Sequence, residues 1–178
     1  MKRLIMCEGP NELGIMRILL DNDKLIFGED DLIGLEPYHA RQIVSNGQVR
    51  TQLNMYPGND GIVMRVGDVQ NETLKIPDDY KEKIIKVEKY CTKPELEMLL
   101  IISEGLVAEF DKTKSSVSPK EFAKQRIRCG RKKYDNSTQF YVDYYGSEPD
   151  ALVDAIKEYK RIKGAHKKDE LYLADLLK

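Results

Sequence analysis

Apolar residues fall into short runs bounded by polar turns, and three of these runs set the expected architecture. Leu4 to Cys7 is unbroken, the pattern of a strand buried on both faces. It stops at Glu8, and Gly9-Pro10 breaks the chain. A helical period follows, with Leu13, Met16 and Leu20 on one row and Ile15 and Leu19 beside it. This predicts strand, tight turn and helix, with Glu8 at the carboxyl end of the strand. Open α/β sheets bind ligands at that edge. Taken alone, Glu8 reads as a solvated turn residue.

The second run, Ile62 to Val66, reads as another buried strand, although Arg65 interrupts its apolar character. The loop Pro57-Gly58-Asn59-Asp60-Gly61 precedes it. It ends at Gly67-Asp68-Val69-Gln70-Asn71-Glu72, so a carboxylate again follows a strand. The third run begins Thr92-Lys93-Pro94-Glu95. Thr92 with Glu95 has the spacing of a capping box, with Pro94 in the first turn. The helix beyond is apolar nearly all round from Leu96 to Ile102, which predicts burial, yet it contains Glu97. A buried carboxylate is protonated, paired or bound to a cation. An ion pair with Arg65 or another basic residue is the plain alternative to a cation site.

Between these runs the pattern is weaker. Leu25 to Phe27 and Leu32 to Leu35 are short apolar pieces, and Pro37 to Val44 reads as a short helix starting at its proline. Val49 to Met55 fits a helix or a strand equally, and Lys81 to Tyr90 is mixed. Ser118-Pro119-Lys120-Glu121 is a second capping box. Arg126, Arg128, Arg131, Lys132 and Lys133 form a basic patch around Gly130, and Phe140 to Tyr145 is aromatic-rich. That combination suits base stacking on nucleic acid, and equally a solvated face beside a tyrosine core. Ser147 with Asp150 is expected to cap a last helix, Ala151 to Lys163. The basic stretch ending at Lys167 and Lys168 adds further candidate contacts to nucleic acid. His39 and His166 have no other ligand type nearby in sequence and are not read as metal ligands.

Composition narrows the function classes. The chain has 178 residues, is 33% charged and carries a net charge of −1. One domain with a real core is expected. No global basic field attracts nucleic acid or an anionic membrane, so such contacts need a local patch. No apolar run reaches membrane-spanning length, and the run after Met1-Lys2-Arg3 is too short for a signal peptide. Cys7, Cys91 and Cys129 form no metal motif and no disulfide framework, which fits a reducing cytoplasm.

With these runs in place, the chain resembles the Toprim superfamily, the α/β domain of topoisomerases, primases and the overcoming-lysogenization-defect nucleases. That pattern is a strand ending in Glu-Gly, then a strand ending in Asp-x-Asp, with a further acid in many members. Glu8-Gly9 resembles the first motif, and Cys7-Glu8-Gly9-Pro10-Asn11-Glu12 is similar to the Glu-Gly-x-x-Glu form of small stand-alone Toprim proteins. Val66-Gly67-Asp68-Val69-Gln70 resembles the second. Thr92 to Leu100 is similar to the Ser-Asn-Pro-x-Phe-Glu-Leu-Trp-Leu segment of RloB-like proteins and puts Glu97 on the acidic position. The resemblance covers residues 1–105, with 106–178 as a C-terminal helical extension of a single domain. It implies a Toprim-like, Rossmann-like sheet, mainly parallel, flanked by helices. The chain departs from the pattern at Gln70, which stands where the second acid belongs. An amide oxygen still ligates Mg²⁺ but brings no charge. Glu72 is the nearest substitute.

The resemblance implies a Mg²⁺- or Mn²⁺-dependent nuclease acting on DNA or RNA, an effector of phage defence by abortive infection. Glu8, Asp68 and Glu97 would then be the catalytic acids and metal ligands, with Gln70 and Glu72 as further ligands. Glu12 or Glu72 would stand in an outer position or act as base. Mg²⁺ takes one or two carboxylates plus water and substrate phosphate, and it neutralises the anionic target. The rival from another class is a catalytically weak binding or accessory subunit, whose ATPase or methyltransferase partner is encoded separately. Gln70 favours that rival. A primase- or topoisomerase-like role is the weaker third reading.

Overall fold

The computed structural model describes residues 1–68, 72–92, 95–163, 167 and 169–178. Its centre is a five-stranded sheet, every strand parallel to its neighbours. The strands are β1 (Lys2–Cys7), β2 (Tyr38–His39), β3 (Gly61–Gly67), β4 (Ile84–Cys91) and, from the far end of the chain, β7 (Glu170–Tyr172). Their spatial order is β2-β1-β3-β4-β7. The chain leaves β1 in one direction to reach β2 and comes back to β3 on the other side. The order therefore reverses between β1 and β3, which is where a doubly wound sheet opens a crevice at its carboxyl edge. The helices are α1 (Pro10–Asp21), α2 (Gly47–Met55), α3 (Met98–Ser103), α4 (Val107–Asp111), α5 (Pro119–Arg126), α6 (Thr138–Tyr145) and α7 (Pro149–Ile162).

Strand alternation sorts the core into two layers. Ile5, Cys7, Ile62, Met64 and Val66 pack against α1, α3, α6 and α7 on one face. Leu4, Met6 and Val63 pack against Val49 and Leu53 of α2 on the other. Both faces are covered, which is why β1 and β3 read as continuous apolar runs rather than alternating ones.

Several local expectations change. Pro37 to Val44 forms no helix. Tyr38 and His39 pair with Met6 and Cys7 as the edge strand, and the Ala40 amide extends that ladder to the Cys7 carbonyl at 3.0 Å. Sheet pairing overrides a weak local helix signal. The helix after Thr92 starts later than its sequence suggests, at Met98, with Glu97 at its N-cap. Of the expected box, Glu95 instead accepts the Lys120 amide at 2.9 Å and so caps α5. The box at Ser118 and Glu121 forms as read. The last helix begins at Pro149, and its N-cap is Glu148 with no side-chain cap bond. Segment 106–178 is more than a helical extension, since it supplies β7 and the small antiparallel hairpin of β5 (Arg128–Cys129) and β6 (Lys132–Lys133). Gly130 turns that hairpin at φ 59°, a left-handed conformation that favours glycine. Phe140, Tyr141 and Tyr145 are buried in the core, so they are not free to stack on bases.

Candidate functional site

Cys7 and Val66 are paired in register, so Glu8 and Asp68 leave the sheet at its carboxyl edge on adjacent strands. The Glu8 amide bonds the Val66 carbonyl at 2.9 Å, and the Thr92 amide bonds that of Gly67 at 3.0 Å. The pleat then separates the acids. Asp68 follows the parity of Met64 and Val66, the face covered by α1. Glu8 follows that of Leu4 and Met6, the face covered by α2. Its carboxyl lies over Gly67, where a Cβ would clash with Oε2. Arg65 is on the same face, and its Nη2 is 3.8 Å from Glu8 Oε1. Arg65 is 2% exposed and Glu8 8%. Burying a guanidinium without a counter-charge costs several kcal/mol, on the order of the penalty for any buried ion. Glu8 supplies that counter-charge. Arg65 Nη1 also donates to the Glu72 carbonyl at 2.6 Å.

On the α1 side, Glu12, Asp68, Glu95, Glu97, Lys120 and Asn136 surround a polar cavity of about 260 Å³. Glu12 comes from the first turn of α1. Its carboxyl folds back over Gly9, where a Cβ would lie 2.6 Å from Oε2. Burial, and after it the charges of Asp68, Glu8 and Glu97, push the Glu12 carboxyl above the usual glutamate range, against a backbone hydrogen bond that lowers it. Burial and the charges of Glu97 and Asp68 raise Glu95 as well, while the Lys120 N–H pulls it down. Like charges are thus crowded at one spot, with Lys120 among the groups that line it.

Glu97 is 6% exposed, and Arg65 is not its partner. The Tyr134 hydroxyl donates to Glu97 Oε1 at 2.7 Å and also lies 3.1 Å from the Tyr141 hydroxyl. Burial, helped by the Glu97 charge, moves the Tyr134 pKa far up, so the phenol keeps its proton. Asn136 Oδ1 stands 3.1 Å from the same phenol and accepts from Asn11 Nδ2 at 3.2 Å. Thr138 Oγ1 donates to Asn11 Oδ1 at 3.0 Å. One polar chain therefore ties α1, the Glu97 turn and the segment after β6 together.

The structure brings together Asp68, Glu97 and Glu12, with Glu8 beside them but held by Arg65. Gln70 lies outside the described residues, and so do Lys168 and His166. Glu72 is exposed, and its tie to this region is its main-chain carbonyl. Arg128, Arg131, Lys132 and Lys133 sit exposed on the hairpin that leads into Tyr134. Lys132 faces Asp135 at 3.3 Å, and Arg126 is ion-paired with Glu109, which offsets both charges. Lys167 is exposed, and its amide bonds Glu170 at 3.2 Å. Sequence reasoning missed Tyr134, Asn136, Lys120 and the placement of Glu95. Tyr134, Asn136 and Lys120 come from segments remote in sequence with no local pattern to mark them, and Glu95 reads from the sequence only as a cap of its own helix. Among the described residues, no three of His, Cys, Asp and Glu form a ready-made ligand set. Nor is any helix among them long and apolar enough to cross a membrane. No family model, curated protein or solved structure matches this chain.

Proposed function

We propose that this chain is a Mg²⁺- or Mn²⁺-dependent nuclease of Toprim type that hydrolyses phosphodiester bonds in DNA or RNA. The observation that carries this reading is the convergence of Glu12, Asp68 and Glu97 on one polar cavity at the point where the strand order reverses. The carboxylates are of the chemical kind a hard cation takes, although no three among the described residues form a ready-made set. They are oxygen donors, mutually repelling and partly dry. Asp68 and Glu97 are the ligands in this reading, since Mg²⁺ uses one or two carboxylates and keeps its waters. When bound, the metal neutralises phosphate charge and makes a coordinated water a better nucleophile.

The chain's own groups do the rest. Tyr134 fixes Glu97. Glu12, with its raised proton affinity, is the base. Glu8 braces the edge from its place beside Arg65. The hairpin cations Arg128, Arg131 and Lys133 hold the nucleic-acid backbone. The test is cleavage of labelled DNA and RNA with and without Mg²⁺, beside calorimetric Mg²⁺ titration of wild type and Asp68→Asn. Wild type should bind Mg²⁺ and cut one of the two polymers, and Asp68→Asn should lose both properties.

The Glu8–Arg65 contact favours a second reading, a binding or accessory subunit. One edge carboxylate is already neutralised from within, so the fold can hold the site without metal. Wild type that neither binds Mg²⁺ at millimolar levels nor cuts either polymer would make this the better account.

A further inference from the structure

We propose that Arg41, just past the carboxyl end of β2, is the anchor for the substrate phosphate, with His39 beside it as a positioning residue on the Glu8 main chain. This rests on the phosphodiester reading above and adds to it the group that holds the anion.

His39 pairs with Cys7 in register, directly before Glu8. Its Nε2 contacts the Glu8 carbonyl at 3.2 Å, and Arg41 Nε donates to the same carbonyl at 3.3 Å. A carbonyl oxygen only accepts, so the histidine nitrogen donates as well. Two exposed side chains thus converge on the main chain of the residue at the strand-order reversal.

Arg41 differs from the arginines whose charge a carboxylate cancels. Arg17 is set against Glu36 at 3.0 Å, Arg161 against Glu158 at 2.6 Å, and Arg126 against Glu109. Those carboxylates cancel the charge. Arg41 bonds a carbonyl, which cancels none of it, and no carboxylate among the described residues forms an ion pair with it. Using Nε inward leaves its two Nη groups, the fork that takes phosphate oxygens in pairs.

The segment is also held still. Asn46 Nδ2 donates to the His39 carbonyl at 3.0 Å. Gln42 donates to the Thr73 carbonyl at 3.1 Å and accepts the Lys75 amide at 3.0 Å. Arg41 therefore lies between two pinned neighbours and loses little freedom on binding. The electrostatic need is plain. Glu12, Asp68 and Glu97 repel a phosphate, and a cationic group across β1 would add to Lys120 of the cavity lining in offsetting that, and would set the polymer's direction over the edge.

The experiment is anisotropy titration of full-length protein with a labelled single-stranded oligonucleotide in Mg²⁺ over a series of salt concentrations. Arg41→Gln should weaken binding about tenfold and lower the slope of log affinity against log salt by about 0.7, the loss of one phosphate contact. His39→Gln should weaken binding less and leave the slope in place. Arg41→Lys should restore the slope and only part of the affinity, because it returns the charge without the fork. Calorimetric Mg²⁺ affinity without oligonucleotide should stay as in wild type for all three. Unchanged affinity and slope in Arg41→Gln, at wild-type thermal stability, overturn the anchor while leaving the nuclease reading intact. Wild type that binds Mg²⁺ but no oligonucleotide also overturns it. Wild type that binds neither removes the nuclease reading itself, and the anchor with it.

Discussion

The hydroxyl of Tyr134 donates to Oε1 of Glu97 across 2.7 Å, joining residues 37 positions apart. Both are buried, so the Glu97 carboxylate depends on this phenol for its donor, while the phenol also meets Asn136 and Tyr141. Tyr134→Phe should cost about 1–3 kcal/mol, the usual penalty for stranding a buried partner. A shift in urea midpoint at constant slope measures it. In a Glu97→Gln background the acceptor is uncharged and the same change should cost only about 1 kcal/mol. An equal loss in both backgrounds would mean the phenol acts through Asn136 or Tyr141 instead.

Gly67 makes the second relationship possible. A methyl group there would meet the Glu8 carboxyl, with Cδ at 2.5 Å, so Gly67→Ala must displace it from Arg65. Overpacking of this kind costs about 1–3 kcal/mol. In a Glu8→Ala background the space is free, and the added cost should fall below about 0.5 kcal/mol. Additive costs in the double variant would show that the clash is relieved elsewhere.

The sheet could be read from the sequence because its signals are local. Leu4 to Cys7 and Ile62 to Val66 are apolar on both sides, and only strands covered by helices on two faces need that. Each also ends in an acid, which put Glu8 and Asp68 on the correct edge. The sequence does not say which side of the sheet each acid faces, because a single residue of parity decides it. Asp68 went to the cavity and Glu8 to Arg65 on that basis. Nor does the sequence bring Tyr134 or Lys120 to Glu97 and Glu95. Those contacts depend on how α5 and the β5–β6 hairpin pack, which no short-range pattern encodes. Tyr38 and His39 failed as a predicted helix for the same reason, since their structure comes from pairing with β1.

The raised carboxyl of Glu12 implies a pH dependence of definite sign. In the unfolded chain it titrates near the ordinary value of 4.5, and in the fold it holds its proton to higher pH. The folded state therefore binds more protons between those two points, and stability falls as pH rises through that window. Chelator-treated wild type should lose stability upward from about pH 4.5 relative to Glu12→Gln, whose amide does not titrate. The difference between their urea midpoints should widen with pH and then level off. Parallel profiles would mean that neither burial nor the neighbouring charges raise Glu12.

Cation binding should separate the acids by the face they occupy. Asp68 and Glu97 line the cavity, whereas Glu8 is set against Arg65 at 3.8 Å. Removing a unit charge next to a bound ion costs about 1–4 kcal/mol at the effective dielectric of a protein surface, roughly a fivefold or greater loss of affinity. Asp68→Asn and Glu97→Gln should each show that loss in calorimetric Mg²⁺ titration. Without metal both should keep or raise the melting temperature, because repulsion within the cavity is relieved. Glu8→Gln should do the reverse. It leaves Arg65 buried beside a neutral amide, and breaking a buried pair costs about 3–5 kcal/mol. Its melting temperature should fall while Mg²⁺ affinity stays within about threefold of wild type, less than half a tenfold step in free energy. The two readouts therefore cross, and a general loss of folding cannot mimic the pattern. If Glu8→Gln weakens Mg²⁺ binding as much as Asp68→Asn does, Glu8 belongs among the ligands, as its motif implies, and Arg65 must give way to the ion.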